Sequence, residues 1–113
     1  MELIRMYPND MDKRTSFKLC NSNETQKMSN ASGSILEVVA WALYTDIDNK
    51  TGDGKKVVSL MTADGEIFGT ISETFIREFE KIADHFDDDV GNIKVIEGTS
   101  KSGRSFITCD IDQ

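Results

Sequence analysis

Few of the 113 residues have the company to do covalent chemistry. A nucleophile needs a base placed to take its proton. The only histidine, His85, falls near the end of an acidic helical stretch, where it reads as a solvated surface residue. The run Asp46-Ile-Asp-Asn-Lys-Thr-Gly-Asp-Gly54 invites comparison with a calcium loop. Lys50 stands at its fifth position, however, Thr51 takes the sixth where the sharp turn needs glycine, and no bidentate acid stands at the twelfth. Asp84, Asp87, Asp88 and Asp89 fit a solvated acidic cap better than a cation site. The chain has no phosphate-cradling Gly-x-x-x-x-Gly-Lys and no dinucleotide fingerprint. Cys20 and Cys109 lack metal-ligand spacing and read as a reduced pair of small buried side chains. The expectation is no catalytic residue, no metal, no cofactor and no enzyme.

What the chain does hold is aromatic rings beside cations on strand-like segments. In 66–71, alternation puts Ile67, Gly69 and Ile71 on one face and Glu66, Phe68 and Thr70 on the other. In 105–111, Ile107, Cys109 and Ile111 oppose Phe106, Thr108 and Asp110. On this pattern Phe68 and Phe106 point away from the core, and Lys94 lies on the reverse face from Ile93 and Val95. Trp41 and Tyr44 fall on opposite faces of one strand, so at most one of them is fully interior. Lys55, Lys56, Lys101 and Arg104 belong to exposed loops or strand ends. An exposed ring beside a lysine suits a single nucleic-acid strand, because every base has a π-face to stack and the cation follows the phosphates. The simpler alternative is that Phe68 and Phe106 pack under the N-terminal segment or a helix.

These residues sit on elements that the pattern defines well from residue 35 onward. Ile-Leu-Glu-Val-Val-Ala-Trp-Ala-Leu-Tyr-Thr, starting at Ile35, is β-branched and aromatic, and reads as a long strand buried on both faces. After the turn-rich stretch 46–54, residues 56–62 and 66–71 read as two strands of a hairpin around Asp64-Gly65. Ser72 is a good N-cap, and Phe75, Phe79, Ile82 and Phe86 then recur at helical spacing, widened by Ile76 and Ala83. The acids at 87–89 oppose the helix dipole, so the last turn is expected to fray. Residues 93–97 and 105–111 alternate and form a closing hairpin around Gly98-Thr-Ser-Lys-Ser-Gly-Arg104. The order βββαββ is that of a mainly β, five-stranded OB-type barrel with one helix between strands three and four. A mixed α+β sheet of the same order is the alternative. The domain so defined is 35–113. Residues 1–34 form a polar segment with the composition of a loop or tail, and 15–20 is its one candidate edge strand.

The net charge of −7 argues at first sight against nucleic acid, since affinity for phosphates comes from Lys and Arg. Residues 1–56 carry eight bases and eight acids, however, and residues 73–89 alone carry seven acids against Arg77 and Lys81. The acidity is therefore local to the helix, and the strand surface is close to neutral. No apolar run approaches the ~18 residues of a membrane span, and the start lacks the pattern of a signal peptide. A cytoplasmic protein with no membrane partner is expected; its oligomeric state stays open.

Two stretches carry a family resemblance. Lys56-Val-Val-Ser-Leu-Met-Thr-Ala-Asp-Gly-Glu-Ile-Phe-Gly-Thr-Ile-Ser-Glu-Thr-Phe-Ile-Arg-Glu-Phe79 and Ile93-Lys-Val-Ile-Glu-Gly-Thr-Ser-Lys-Ser-Gly-Arg-Ser-Phe-Ile-Thr-Cys109 resemble the small single-stranded DNA-binding proteins of bacteriophages and related mobile elements of Gram-positive bacteria. The likeness covers roughly the C-terminal two-thirds of the chain. It implies an OB fold that coats and protects transient single strands during phage or plasmid DNA replication, without catalysis. It also implies that Trp41 or Tyr44, Phe68 and Phe106 stack bases while Lys55, Lys56, Lys94, Lys101 and Arg104 steer phosphates. Replication proteins are the further partners implied. Recruitment through a long acidic tail is not expected, because the chain has only Asp110-Ile-Asp-Gln113. The competing function is an acidic protein-interaction module, an inhibitor or adaptor that presents helix 73–89 to a basic surface.

Overall fold

The computed structural model describes residues 2–21, 25–47 and 52–112. In chain order they form β1 (Glu2–Tyr7), α1 (Lys13–Asn21), β2 (Gln26–Lys27), a 3₁₀ turn (Met28–Ala31), β3 (Ile35–Ile47), β4 (Gly54–Thr62), β5 (Ile67–Thr70), α2 (Glu73–His85), β6 (Asn92–Thr99) and β7 (Ser105–Ile111). The elements β3, β4, β5, α2, β6 and β7 are the five strands and one helix expected, in the OB order. Residues 48–51 of the stretch compared with a calcium loop lie outside the described residues.

β3 organises the rest. One of its edges carries β4 along Val38–Ile47, and the other carries β6 at Ile35–Glu37 and β1 at Trp41–Thr45, all antiparallel. The ladder with β4 shifts register between Val38 and Ala40. A bulge there increases local twist, which lets one strand serve two sheets. β4 returns to β5 through Asp64-Gly65, where Gly65 takes a φ of 88° that side chains disfavour. The full order is β2-β5-β4-β3-β6-β7, so the sheet curls but ends at β2 and β7 without joining them. The result is an open half-barrel.

The first 34 residues complete this sheet rather than trail from it. β1 pairs with β3, and β2 pairs in parallel with β5. The 3₁₀ turn packs against β5 and β6 and buries Met28 and Ala31 in the core. The stretch expected as an edge strand, 15–20, is instead helix α1. Asp12 caps it by accepting from the Thr15 N–H at 2.7 Å, and the inward residues 15, 16, 19 and 20 follow helical rather than strand spacing.

Two apolar layers result. Inside the half-barrel, Trp41, Leu43, Val58, Leu60, Phe68, Ile93 and Val95 meet Phe75 and Phe79 of α2. On the outward face, Ala40, Ala42, Tyr44 and Ile67 meet Leu19 of α1. α2 begins as expected, with Ser72 Oγ accepting from the Phe75 N–H at 3.3 Å. Its acidic end is pinned rather than frayed. Arg5 of β1 bridges Asp84 at 2.8 Å and also binds Asp88, and the Asp88 carbonyl accepts from Trp41 Nε1 at 2.8 Å. Phe86 lies just past the helix, 43% exposed, instead of extending its apolar face. No helix among the described residues is long and apolar enough to cross a membrane.

Candidate nucleic-acid interface

The fold divides the expected aromatic set in two. Trp41 is 1% exposed and packs edge-on against Phe79, with ring centroids 4.9 Å apart. Phe68 is 5% exposed in the same interior layer. Both are corrections to the expected site, because neither ring offers a face to a base. Alternation failed at Phe68 because β5 is apolar on both sides: Phe68 fills the half-barrel while Ile67 sits on the outward face in the layer completed by Leu19.

Phe106 remains at the surface, 36% exposed, whereas Tyr44 is 9% exposed and buried in the outward layer with Leu19. Trp41 and Tyr44 are thus both interior, contrary to expectation. Tyr44 and Phe106 mark the two ends of one path of adjoining hollows. Tyr44 lines a groove with Lys27, Met28, Val57, Ser59, Gly69 and Ile71, at the place where β2 lies along β5. That groove also touches Ser29 and Ile107, and both residues line the next hollow, which holds Phe106, Glu97, Ser72 and Ser105. The path thus crosses the seam between β5 and β7 that the open sheet leaves. Burial pushes the Tyr44 phenol above its ordinary value, which keeps it a neutral ring at physiological pH. The Phe106 ring lies flat across its cross-strand neighbour: a Cβ at Gly98 would stand 2.5 Å from its Cζ. The glycine lets the ring settle on the hairpin with one face outward.

The cations are distributed around this path. Lys55 and Lys56 line a hollow between the start of β4 and α2 that shares Ile71 with the groove, and Lys56 Nζ stands 4.0 Å from Glu80. Lys101 and Arg104 are exposed in the loop that leads into Phe106. Lys94 is exposed on β6 opposite Asp110, four residues from Gly98 and so about 13 Å along the strand from the Phe106 ring. It stands apart from the path. Lys27 joins the groove and was not anticipated, because nothing in 25–27 marks a strand that docks on β5.

The match with protein-family models decides the class. The model for phage single-stranded DNA-binding protein, of phi29 type, matches residues 9–112. The chain belongs to this family. No curated protein and no solved structure matches it. The family match spans α1, the seam segment and every strand from β2 to β7, so the groove lies wholly within it. For a single-stranded DNA-binding family the geometry is apt: an OB sheet takes oligonucleotides on the face of its second and third strands and on adjoining loops, which correspond here to β4, β5 and the loop around 100–104. The Cys109 thiol is pushed up to about 12 by burial and stays protonated under the Phe75 carbonyl, outside any such contact. His85 is exposed, with its ring edge-on to Phe86.

Proposed function

We propose that the protein binds single-stranded DNA with little sequence preference, and coats and protects it during phage or plasmid DNA replication in the cytoplasm of the host cell, without acting chemically on it. The observation that carries this reading is a pair of adjoining hollows, sharing Ser29 and Ile107, that run across the β5–β7 seam to the exposed Phe106, with the exposed bases Lys27, Lys55, Lys101 and Arg104 around them. The exposed Phe106 ring supplies sequence-tolerant stacking, and the flanking cations supply phosphate contact. Trp41 and Phe68 act behind the surface by holding the sheet in shape.

The acidic-module reading fares worse, because four of the seven acids of 73–89 stand beside bases. Arg5 holds Asp84 and Asp88, while Arg77 and Lys81 approach Glu78. With Lys56 beside Glu80, these pairs leave Glu73, Asp87 and Asp89 as the acids of 73–89 without an ion pair among the described residues.

Anisotropy of a labelled oligothymidine, titrated at low and high salt, tests the proposal. Binding should be tightest at low salt. Four phosphate contacts would give a slope of log K against log salt of about −3. Absence of binding at low salt would reject the reading.

A further inference from the structure

Helix α1 presents two unlike sides. Leu19 and Cys20 pack toward the sheet, while Lys13, Arg14, Phe17 and Lys18 point outward. Their spacing, 13, 14, 17 and 18, is one side of a 3.6-residue helix. Phe17 is 65% exposed, the highest value among the exposed large apolar residues of the described chain, ahead of Ile71 at 57%. The helix itself contains three bases and no acid. None of the three takes part in an ion pair among the described residues, whereas α2 has two of its own bases next to its acids.

The location adds to the composition. α1 covers the outward face of β3 and β4, the side on which an OB sheet receives oligonucleotides. A strand laid along that side meets α1 before it meets the sheet. Beside the helix, Phe17 and Lys13 line a hollow with Leu3, Met6 and Met11, apolar at its floor and basic at its rim. An exposed ring among unpaired cations is the combination a single nucleic-acid strand takes, with a base on the ring and the flanking phosphates on the cations.

We propose that the outward side of α1 is a second contact surface for single-stranded nucleic acid, on which a base stacks against Phe17 while Lys13, Arg14 and Lys18 take the flanking phosphates. This rests on the single-strand-binding reading and moves part of the contact from the sheet to the helix that covers it. All four side chains are exposed, so they can be changed without disturbing the core.

The test compares the full chain with Phe17→Ala, Phe17→Trp and the triple variant Lys13→Gln, Arg14→Gln, Lys18→Gln, using oligothymidine anisotropy across a salt series, thermal melting and sedimentation. Phe17→Ala should weaken binding about tenfold with the melting temperature unchanged, and Phe17→Trp should retain it. The triple variant should make the salt slope shallower by about 2. If the parent binds and all variants bind as tightly with the same slope, α1 is not a contact surface and the groove reading stands alone. If Phe17→Ala alters sedimentation but not affinity, the face belongs to a second copy, and the proposal falls. If the parent itself does not bind at low salt, both readings fall together.

Discussion

α1 and α2 lay apolar stripes on opposite faces of the same curled sheet, yet they treat their charges in opposite ways. α2 buries Phe75, Ile76, Phe79 and Ala83, is capped by Ser72, and has Glu78, Glu80 and Asp84 met by Arg77, Lys81, Lys56 and Arg5. α1 buries only Leu19, is capped by Asp12, and leaves three bases and a phenylalanine to solvent. The negative helix is committed to holding the fold together, and the positive one is free to meet a partner. A net charge of −7 therefore says little about which surface faces phosphate.

The largest effect expected from this contrast is on stability. Phe79→Ala removes a 1%-exposed ring stacked on Phe75 and touching Trp41, and should cost about 3–5 kcal/mol in urea unfolding. Leu19→Ala should cost about 2–3 kcal/mol, because one residue carries most of the burial of α1. Equal costs for the two would show that α1 is as deeply anchored as α2 and would erase the distinction.

Next comes the groove. Phe106→Leu keeps apolar bulk while removing an exposed ring, and should weaken oligothymidine binding about tenfold. Trp41→Phe, by contrast, should leave affinity unchanged despite a loss of stability, since its ring lies behind the surface. A reversed pattern would mean that the sheet opens on binding.

Arg5→Gln probes how the acidic end of α2 is held. Breaking the partly exposed contacts to Asp84 and Asp88 should cost about 1 kcal/mol, and hydrogen exchange should quicken at the end of α2 and in β1 first. The smallest response is expected from Cys109. With its thiol pushed up to about 12, it should resist alkylation in the folded chain through neutral and mildly alkaline pH, while half-buried Cys20 reacts slowly. Rapid loss of both thiols would place Cys109 outside the core.

Much of the architecture was legible from residue 35 onward because large apolar residues recur there at clear spacings and the Asp64-Gly65 and Ser72 signals are local. The N-terminal third was not. Thr-Ser-Phe-Lys-Leu-Cys alternates as a strand would, and only Asp12 as a cap and the 15, 16, 19, 20 spacing mark the helix. The site was legible in part. Phe106 and the loop bases follow from alternation on a hairpin with one wet face. Trp41 and Phe68 were misplaced because α1 and β1 add a second apolar layer that makes both faces of the sheet dry. Lys27 and the α1 cations depend on how the first 34 residues dock, which strand alternation does not encode.

Amide shift mapping of the labelled protein with an oligothymidine tests the central claim most directly. The account predicts shifts concentrated at residues 25–29, 44, 69–71 and 104–107 and on α1, with α2 unmoved. Shifts centred on 73–89 instead, with the groove and α1 silent, would contradict it.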